Sequence, residues 1–208
     1  MTTENKSIQK FWDDRYSSDE YCYGKEPNSF LLEHYFRLKK GGNILCLSEG
    51  EGRNAIFLAS KGFNVTAVDL SSKGKEKALK FAKEHKLHIT YDIADLKDYN
   101  LGEFKWDAII SISAHLPSTI RVPLHLSIKK GLTNNGIFLL EGYNINQIDL
   151  KSGGPKDKDM LFSKAQLEHD FNGFSIELSR DIIRNFSEGK FHKGDASVTQ
   201  FIAKKTNY

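Results

Sequence analysis

The sequence predicts an α/β fold with a doubly wound, mainly parallel sheet, and three observations support this prediction. Short apolar runs typical of buried strands alternate with helix-like segments from residue 41 onward. The first of these runs, residues 44–47, leads into a glycine-rich loop and then a helix. The second run ends at an acidic residue, Asp69. A strand, a glycine turn and a helix in this order are typical of the cofactor-binding end of such a sheet.

Two helices are expected to form a cover over residues 1–40, ahead of an α/β core over residues 41–208 in the same single domain. The first helix is expected over 5–16, where the apolar residues recur on one side. A tyrosine-rich link follows it. Pro27 opens the second helix, which is expected to run to Lys40 and to end at a pair of glycines.

The elements of the core are predicted from the period of their apolar residues. Helices are expected where apolar residues recur every three or four positions, with serines as N-caps of the second and fourth: 53–61, 71–85, 118–130 and 163–171. Strands are expected at short apolar runs: 44–47, 63–68, 88–93, 107–112, 137–142, 174–183 and 196–204. A turn is expected over 131–136 and a polar loop over 143–160.

The composition argues against several classes of function. The chain has 208 residues, enough for one domain with a sizeable core, and its charges sum to +3 and are mixed along the sequence. It therefore lacks the basic face typical of nucleic-acid binding, and no apolar run reaches the roughly 20 residues of a membrane span. The two cysteines, Cys22 and Cys46, do not indicate a disulfide framework, so a reducing, cytoplasmic location is expected. We expect no nucleic-acid partner, no membrane partner and no metal site.

The loop over residues 48–52 is acidic as well as glycine-rich, because it contains Glu49 and Glu51. A loop that binds pyrophosphate should offer N–H groups and positive charge, and one like-charge contact at about 4 Å would cost roughly 4 kcal/mol. A cationic ligand without phosphate is therefore predicted, and S-adenosylmethionine (SAM) fits, with Glu49 the more suitable carboxylate to face it. Residues 50–55 also match the dinucleotide fingerprint G-x-G-x-x-A, with Asp69 as its acidic partner, so an NAD(P)-dependent oxidoreductase is an alternative.

Further polar residues are expected at the carboxyl ends of the next strands, where ligands bind in an open parallel sheet. Asp69 can accept both hydroxyl groups of a ribose, or it can cap the following helix. Asp95, beside Leu96, can accept the adenine amino group, or it can form a turn. Ser111 and the residues after it would pass under the methionine end of the ligand.

An ordered series of motifs extends over nearly the whole chain: Phe-Trp-Asp-Asp-Arg-Tyr at 11–16, Tyr-Gly at 23–24 with Pro-Asn at 27–28, Leu-Ser-Glu-Gly-Glu-Gly-Arg-Asn-Ala at 47–55, Asp-Ala-Ile-Ile-Ser-Ile at 107–112, His-Leu-Pro at 115–117 with Arg121, Gly-Gly-Pro at 153–155, Met-Leu at 160–161 and Glu-Gly-Lys-Phe-His-Lys-Gly at 188–194. This series resembles the class I SAM-dependent methyltransferases, and most closely their small bacterial group similar to tellurite-resistance and thiopurine methyltransferases. The resemblance implies a Rossmann-like sheet of seven strands with an antiparallel last strand.

The resemblance also implies that SAM is the cofactor and S-adenosylhomocysteine its product. The glycine loop would hold the methionine end, Asp69 the ribose and Asp95 the adenine. The chain departs from the class at Cys46, where an acidic residue is common, and at Ser48, where the first glycine of the motif is expected. The cofactor-binding residues predicted in this way are Tyr23, Gly24, Glu49, Gly50, Glu51, Gly52, Asn54, Asp69, Leu70, Asp95, Leu96 and Ser111.

Three residues are candidates for the acceptor side of the site. His115 follows the fourth strand, and Arg121 lies on the next helix, where it can pair with an anionic acceptor or with an acidic neighbour. His192 would lie in the loop of a hairpin formed by the last two strands. Each also has a purely structural alternative. A soft anionic acceptor such as a thiolate needs no base, because methyl transfer from a sulfonium is an in-line displacement.

The predicted function is methyl transfer from SAM to a small-molecule acceptor with a sulfur, selenium, tellurium or oxygen nucleophile. The chain has Ser-Ala-His-Leu-Pro at 113–117 and no Asn/Asp-Pro-Pro-Tyr segment after the fourth strand, which disfavours methylation of exocyclic amines on DNA. A SAM-binding protein without turnover is a further alternative. The expected oligomeric state is a monomer or a homodimer.

Overall fold

A sheet of seven strands lies at the centre of the computed structural model, which describes residues 3–206. In chain order the strands are β1 Asn43–Leu47, β2 Asn64–Asp69, β3 Thr90–Ile93, β4 Trp106–Ile112, β5 Leu132–Tyr143, β6 Phe174–Glu188 and β7 His192–Lys205. Their order across the sheet is β3-β2-β1-β4-β5-β7-β6, and β7 runs antiparallel to β5 and β6 whereas the other neighbouring pairs are parallel. The predicted seven-stranded α/β sheet with an antiparallel last strand is confirmed. Strand order reverses between β1 and β4, and a ligand is expected at their carboxyl ends.

The helices follow the predicted alternation with the strands. Within residues 3–206 they are α1 Thr3–Arg15, α2 Ser29–His34, α3 Arg53–Ser60, α4 Ser72–Glu84, α5 Ser118–Gly131 and α6 Lys164–Asp170, with short 3-10 helices at Tyr35–Arg37, Ile145–Asp149 and Lys158–Met160. Side-chain caps begin three of them: Asn28 for α2, Ser71 for α4 and Ser163 for α6. None of the helices described is long and apolar enough to cross a membrane.

The core consists of two apolar layers, one on each face of the sheet. Along β1, Ile44 and Cys46 belong to one layer, and Leu45 and Leu47 belong to the other. A strand buried on both faces needs apolar residues at every position, which explains why β1 reads as a continuous apolar run. The side chains of Phe30 and Leu31 on α2 are fully buried in the first layer, so the N-terminal cover shares the core of the sheet.

Several predicted boundaries are wrong. β6 and β7 are 15 and 14 residues long and extend beyond their apolar parts. The strand pattern was missed over 184–188 because β6 is an edge strand and exposes many of its residues. β5 begins at Leu132, with a register shift against β4 in place of the turn expected over 131–136. α2 ends at His34, continues as a 3-10 helix and gives way to extended backbone at Leu38, short of the predicted end at Lys40.

Candidate active site

The loop between β1 and α3 has a backbone that favours glycine at two positions. Ser48, Gly50 and Gly52 have positive φ values of 49°, 61° and 91°. A Cβ atom on Gly50 would lie 2.7 Å from the hydroxyl of Tyr16, and one on Gly52 would lie 2.6 Å from the Cβ of Ala78. Both glycines are therefore required by backbone conformation and by close packing. Ser48 adopts the same left-handed region at the position where the resemblance expects glycine.

Glu49 turns its carboxylate toward the start of α3. Its Oε1 accepts hydrogen bonds from the backbone N–H of Asn54 at 2.9 Å and of Ala55 at 2.8 Å. Burial raises the pKa of Glu49 to about 7, although these two N–H groups and the nearby Arg53 oppose the rise. The carboxylate thus occupies the N–H groups that a helix N-terminus offers to an anion.

Glu51 turns to the other side of the loop. Its Oε2 accepts a hydrogen bond from the backbone N–H of Cys22 at 2.7 Å, and its Oε1 lies 2.5 Å from the ammonium of Lys77. Glu51 therefore fastens the glycine loop to the N-terminal cover and to α4. In the structure, one oxygen of Glu49 and both oxygens of Glu51 contact protein groups, and a contact of either side chain with a cationic ligand stays a prediction.

Asp69 lies at the carboxyl end of β2, directly beside the glycine loop. Its Oδ2 accepts from the N–H of Gly50 at 3.0 Å, and its Oδ1 accepts from the N–H of Ser71 at 2.8 Å. Each carboxylate oxygen keeps a second lone pair. The side chain is 9% exposed, and burial raises its pKa. The structure thus brings together the glycine loop and the carboxylate predicted to bind a ribose.

The other predicted cofactor residues are distributed around this point. Asn54 accepts from the N–H of Asn28 at 2.9 Å through its side-chain oxygen, and so holds the cover against α3. Asp95 is half-buried and accepts a hydrogen bond from the backbone N–H of Lys97 at 2.9 Å. This contact forms a turn, which is the alternative role expected for Asp95. Three more lie at or near strand ends: Leu70 is half-buried after β2, Leu96 is buried beyond β3, and Ser111 is buried near the end of β4.

A row of aromatic rings runs from the glycine loop across the carboxyl edge of the sheet. Neighbouring ring centroids in it lie 4.6–6.4 Å apart. The members of this aromatic row, in spatial order, are Trp12, Tyr16, Tyr23, His192, Tyr143 and His115. Sequence reasoning placed Tyr23 and Gly24 over the cofactor, but it did not place the buried hydroxyl of Tyr16 against Gly50.

His115 has both ring nitrogens in hydrogen bonds. Nδ1 lies 3.0 Å from the carbonyl oxygen of Met160, and Nε2 accepts from the backbone N–H of Tyr143 at 3.2 Å. Nδ1 therefore carries the hydrogen. Burial lowers the pKa of His115 to about 4, so the ring is neutral near neutral pH. This geometry favours the structural alternative for His115, because both ring nitrogens have backbone partners.

Arg121 is also occupied by the protein backbone. Its Nη1 donates to the carbonyl oxygens of Leu116 at 3.0 Å and Asp159 at 2.5 Å, and the side chain is 3% exposed. The guanidinium therefore joins the 3-10 helix Lys158–Met160 to the residues just before α5. This geometry favours the structural alternative over a contact with an anionic acceptor.

Of the three predicted acceptor-side residues, His192 is the one whose side chain forms no hydrogen bond within residues 3–206. It begins β7, is 7% exposed, and lies between the rings of Tyr23 and Tyr143. Its Nδ1 is buried without a hydrogen-bond partner and lies 3.6 Å from Oε2 of Glu188.

Sequence reasoning missed two charged features near this histidine. The first is a buried ionic network in which Arg53 binds Glu188 at 2.8 Å and Arg184 joins Glu188 at 2.6 Å to Glu141 at 3.1 Å. The second is Arg15, which donates to the hydroxyl of Tyr23 at 3.1 Å and lies 4.2 Å above the ring of Phe191. The sequence signal for the network was the four-residue spacing of Arg184 and Glu188, which lie on the same face of β6.

Comparison with known proteins gives a match over part of the chain. A model of the methyltransferase domain matches residues 44–136, from β1 into β5. Thiopurine S-methyltransferase of Francisella tularensis subsp. novicida is 31% identical over 103 residues, which are 48% of this chain and 42% of that protein. This chain therefore covers less than half the length of that curated relative.

Solved structures share the fold along almost the whole chain. TehB from Haemophilus influenzae superposes with a TM-score of 0.72 at 14% identity, over 95% of this chain and 67% of that one. A SAM-dependent methyltransferase from Anabaena variabilis gives a TM-score of 0.72 at 16% identity, over 99% and 96% of the two chains. The match to the methyltransferase domain covers the part of the sheet that contains the glycine loop and Asp69, and the chain shares the fold of solved SAM-dependent methyltransferases along almost its whole length.

Proposed function

We propose that the protein transfers a methyl group from SAM to a small-molecule acceptor with a sulfur, selenium, tellurium or oxygen nucleophile. One observation supports this function over the oxidoreductase alternative. In a dinucleotide site the pyrophosphate binds the N–H groups at the start of the first helix. Here the side chain of Glu49 accepts two of those N–H groups, so they are not available to a pyrophosphate. SAM carries no phosphate and needs no such site.

The groups present at the carboxyl edge fit SAM. The free lone pairs of Asp69 suit the two ribose hydroxyls, and the half-buried guanidinium of Arg15 suits the carboxylate of the methionine part. Among residues 3–206, no carboxylate forms an ion pair with Arg15. The aromatic row offers ring faces, which attract cations. Bound SAM would supply an electrophilic methyl group on a sulfonium, which is a good leaving group.

The chain's own contribution is to align the reactants and exclude water. Tyr16 and Tyr23 close the glycine loop from the side of the N-terminal cover, and Tyr143 and His192 continue this wall toward β5 and β7. An aromatic wall of this kind suits a small, apolar or planar acceptor. The thiopurine S-methyltransferase relative favours sulfur as the nucleophile. A cytoplasmic location and a monomeric or homodimeric state stay predictions.

Binding measurements separate the two cofactor classes. S-adenosylhomocysteine at 100 times its Kd should stabilise the protein by about 2.7 kcal/mol, which raises the Tm by roughly 5–10 °C for a chain of this size. NADH and NADPH should leave the Tm unchanged. Stabilisation by NADH and none by S-adenosylhomocysteine would overturn the proposal. A panel of thiols, phenols, selenite and tellurite with radiolabelled SAM then identifies the acceptor class.

The role of Asp69 is tested by substitution and calorimetry. Asp69→Ala should weaken binding of S-adenosylhomocysteine about 10- to 100-fold, since a hydrogen bond to a charged group contributes roughly 1.5–3 kcal/mol. Asp107→Ala is the matched control, because Asp107 likewise accepts a backbone N–H, from Asn43 at 2.9 Å, but lies at the opposite edge of the sheet. Equal affinities for the two variants would contradict the ribose assignment.

A SAM-binding protein without turnover is the second candidate. It is favoured by the structural bonds of His115 and Arg121, which leave His192 as the sole predicted catalytic residue without a structural hydrogen bond. Binding of S-adenosylhomocysteine together with no methylation of any acceptor in the panel would favour this candidate.

A further inference from the structure

We propose that Glu188 is a positioning residue that holds the ring of His192 with Nδ1 protonated, so that Nε2 is free to take a proton from the methyl acceptor. The proposal rests on the proposed methyltransferase function and deepens it, because it specifies how an acceptor that arrives protonated is activated. It concerns acceptors such as thiols and phenols with a proton on the attacking atom.

The two residues face each other at the turn end of one hairpin. Glu188 is the last residue of β6, His192 is the first of β7, and they are register partners in the antiparallel pair. The turn between them contains Gly189, whose φ of 66° allows the tight connection. At 3.6 Å, Nδ1 of His192 and Oε2 of Glu188 form a close charge contact that is longer than a hydrogen bond.

The surroundings of Nδ1 decide which nitrogen carries the hydrogen. Nδ1 is fully buried and has no hydrogen-bond partner. A hydrogen on Nδ1 points its positive end toward the carboxylate of Glu188, whereas a lone pair there would face a negative charge. The Nδ1–H tautomer is therefore favoured, and the lone pair of the neutral ring lies on Nε2.

Glu188 is kept ionised by its own partners. Arg53 donates to its Oε2 at 2.8 Å, and Arg184 and Asn28 donate to its Oε1 at 2.6 Å and 3.3 Å. Although burial acts in the opposite direction, His192 and the two guanidinium groups lower the pKa of Glu188 to about 2. The carboxylate is thus a fixed negative charge throughout the pH range in which His192 titrates.

His192 itself is suited to accept a proton near neutral pH. Burial lowers its pKa, Glu188 raises it, and Arg53 and Arg184 lower it. The ionisable groups around the ring come from every neighbouring element: Glu188 and Arg184 on β6, Arg53 on α3, Tyr23 on the N-terminal link, Tyr143 on β5 and His115 after β4. The net lowering keeps the ring neutral, and so able to act as a base, at neutral pH.

The ring is also close to the cofactor loop. Tyr23 stacks obliquely on His192 with centroids 4.6 Å apart, and Arg53, the first residue of α3 after the glycine loop, donates to the carbonyl oxygen of Tyr23 at 3.2 Å. The guanidinium of Arg53 therefore bonds both Glu188 and the segment that covers the loop. Nε2 forms no hydrogen bond within residues 3–206 and is not among the fully buried atoms.

The step is balanced with the reactants of the proposed function. The proton of the acceptor X–H passes to Nε2 and converts the neutral imidazole to imidazolium. The electron pair left on X forms the bond to the methyl carbon. The electrons of the broken carbon–sulfur bond remain on sulfur, so the donor departs as the neutral thioether S-adenosylhomocysteine. Glu188 gains and loses no proton, and its charge stabilises the imidazolium.

Nuclear magnetic resonance of the protein without ligand tests the positioning directly. Long-range ¹H–¹⁵N spectra should show the neutral ring of His192 with its hydrogen on Nδ1. In Glu188→Gln the pKa of His192 should fall by about one unit, as expected for loss of a neighbouring opposite charge, and the Nε2–H tautomer should appear. An unchanged pKa and tautomer would overturn the proposal.

The matched control is Glu177→Gln, on the same strand. Glu177 pairs with Arg37 at 2.9 Å, remote from the hairpin turn, and this change should leave the spectrum of His192 as in the unmodified protein. Because Glu188 is part of the ionic network, Glu188→Asp is the second variant, which keeps the charge if the Gln variant does not fold. It should retain the Nδ1–H tautomer, and loss of that tautomer in this variant would contradict the role of the charge.

Kinetics with acceptors found in the panel test the base. His192→Gln should lower kcat about 10²- to 10⁴-fold for acceptors that are protonated at the assay pH, with little change for those already ionised. Equal losses of kcat for protonated and ionised acceptors would show that His192 acts through packing and is not a base. Retained binding of S-adenosylhomocysteine by the His192 and Glu188 variants separates failure of this inference from failure of the proposed function.

Discussion

The carboxylate of Glu49 lies at the start of α3 and accepts two backbone N–H groups that the helix itself cannot satisfy. This contact gives an acidic loop residue a role in the architecture of the loop. It stabilises the turn from β1 into α3, and it occupies N–H groups that the pyrophosphate of a dinucleotide would need. One side chain thus supports the helix and discriminates between cofactor classes.

The raised pKa of Glu49 predicts a pH-dependent stability. Its pKa rises from 4.5 to about 7 on folding, so the folded state binds the proton more tightly than the unfolded state does. The contribution of this group is fully present below pH 4.5 and is lost as pH rises to about 7, up to roughly 3 kcal/mol in total. Urea denaturation between pH 4.5 and 8 should show this loss in the unmodified protein.

Glu49→Gln is the test variant, because glutamine keeps an oxygen for the two N–H groups and has no titration. The difference in the free energy of unfolding between the two proteins should change with pH in favour of the glutamine variant as pH rises. Asp69 also has a raised pKa and is present in both proteins, and its charge contributes to the raised pKa of Glu49, so the difference reports Glu49 together with this coupling. A difference in the free energy of unfolding that stays constant between about pH 4.5 and 8 would contradict a raised pKa for the buried Glu49.

At the scale of elements, α1 is fastened to the core through one carboxylate. Asp13 on α1 accepts from Ser71 Oγ at 2.6 Å and from the backbone N–H of Lys73 at 3.0 Å through Oδ1, and from Ser72 Oγ at 3.1 Å through Oδ2. These groups form the start of α4. A side chain from one helix thus caps another, and it carries the aromatic residues of α1 to the carboxyl edge of the sheet.

Removal of this contact should loosen the cover. Asp13→Ala should lower the free energy of unfolding by about 1–2 kcal/mol, as for loss of a helix cap, and should increase hydrogen exchange in α1. Asp14→Ala is the control, because the neighbouring Asp14 forms an exposed pair with Lys10 at 2.7 Å and should cost at most about 0.5 kcal/mol. Equal effects in thermal denaturation would mean that α1 does not depend on Asp13.

The tip of the β6–β7 hairpin contacts the tyrosine-rich link directly. A Cβ atom on Gly189 would lie 2.6 Å from the backbone nitrogen of Gly24 and would also clash with the carbonyl oxygen of Cys22. The backbone N–H of Lys190 donates to that carbonyl at 2.9 Å. Two segments far apart in the chain therefore close over the site by backbone contact.

A pair of alanine variants separates this contact from backbone strain. Gly189→Ala should push the hairpin from the link and weaken binding of S-adenosylhomocysteine, because the clash is with backbone. Gly194→Ala also places alanine at a positive φ, but nothing lies within 4 Å of its Cβ, so it should cost only about 1 kcal/mol of stability and leave affinity unchanged. Calorimetry that shows the same affinity for both would contradict a covering role.

At the scale of the whole molecule, the cover and the sheet should unfold together, because Phe30 and Leu31 are buried in the core of the sheet. The chain has two tryptophans, Trp12 in the cover and Trp106 at the amino end of β4. In Trp12→Phe and Trp106→Phe, fluorescence of the remaining tryptophan and far-ultraviolet circular dichroism should give coincident transitions. An earlier transition for Trp12 alone would show that the cover unfolds independently.

The order of elements and the ligand edge were predictable, because periodicity reports burial and the strand–glycine–helix pattern reports backbone shape. The directions in which side chains leave the glycine loop between β1 and α3 could not be predicted. Ser48, Gly50 and Gly52 all have positive φ, so neighbouring side chains leave the loop in directions that an alternation of residue types does not show. The bonds of His115 and Arg121 to carbonyl oxygens depend on the path of 143–160, for which the sequence has no regular pattern.

The two borders of the sheet differ in how they resist aggregation. β3, at one border, has four residues, whereas β6, at the other, has fifteen. The free edge of a long border strand carries unpaired N–H and C=O groups, to which a strand of another chain can pair. Charged side chains along β6 oppose this, among them Glu177, Arg180, Asp181 and Arg184, while Ile183 is 69% exposed between them. The charged side chains of β6 therefore oppose polymerisation of the folded protein through this border.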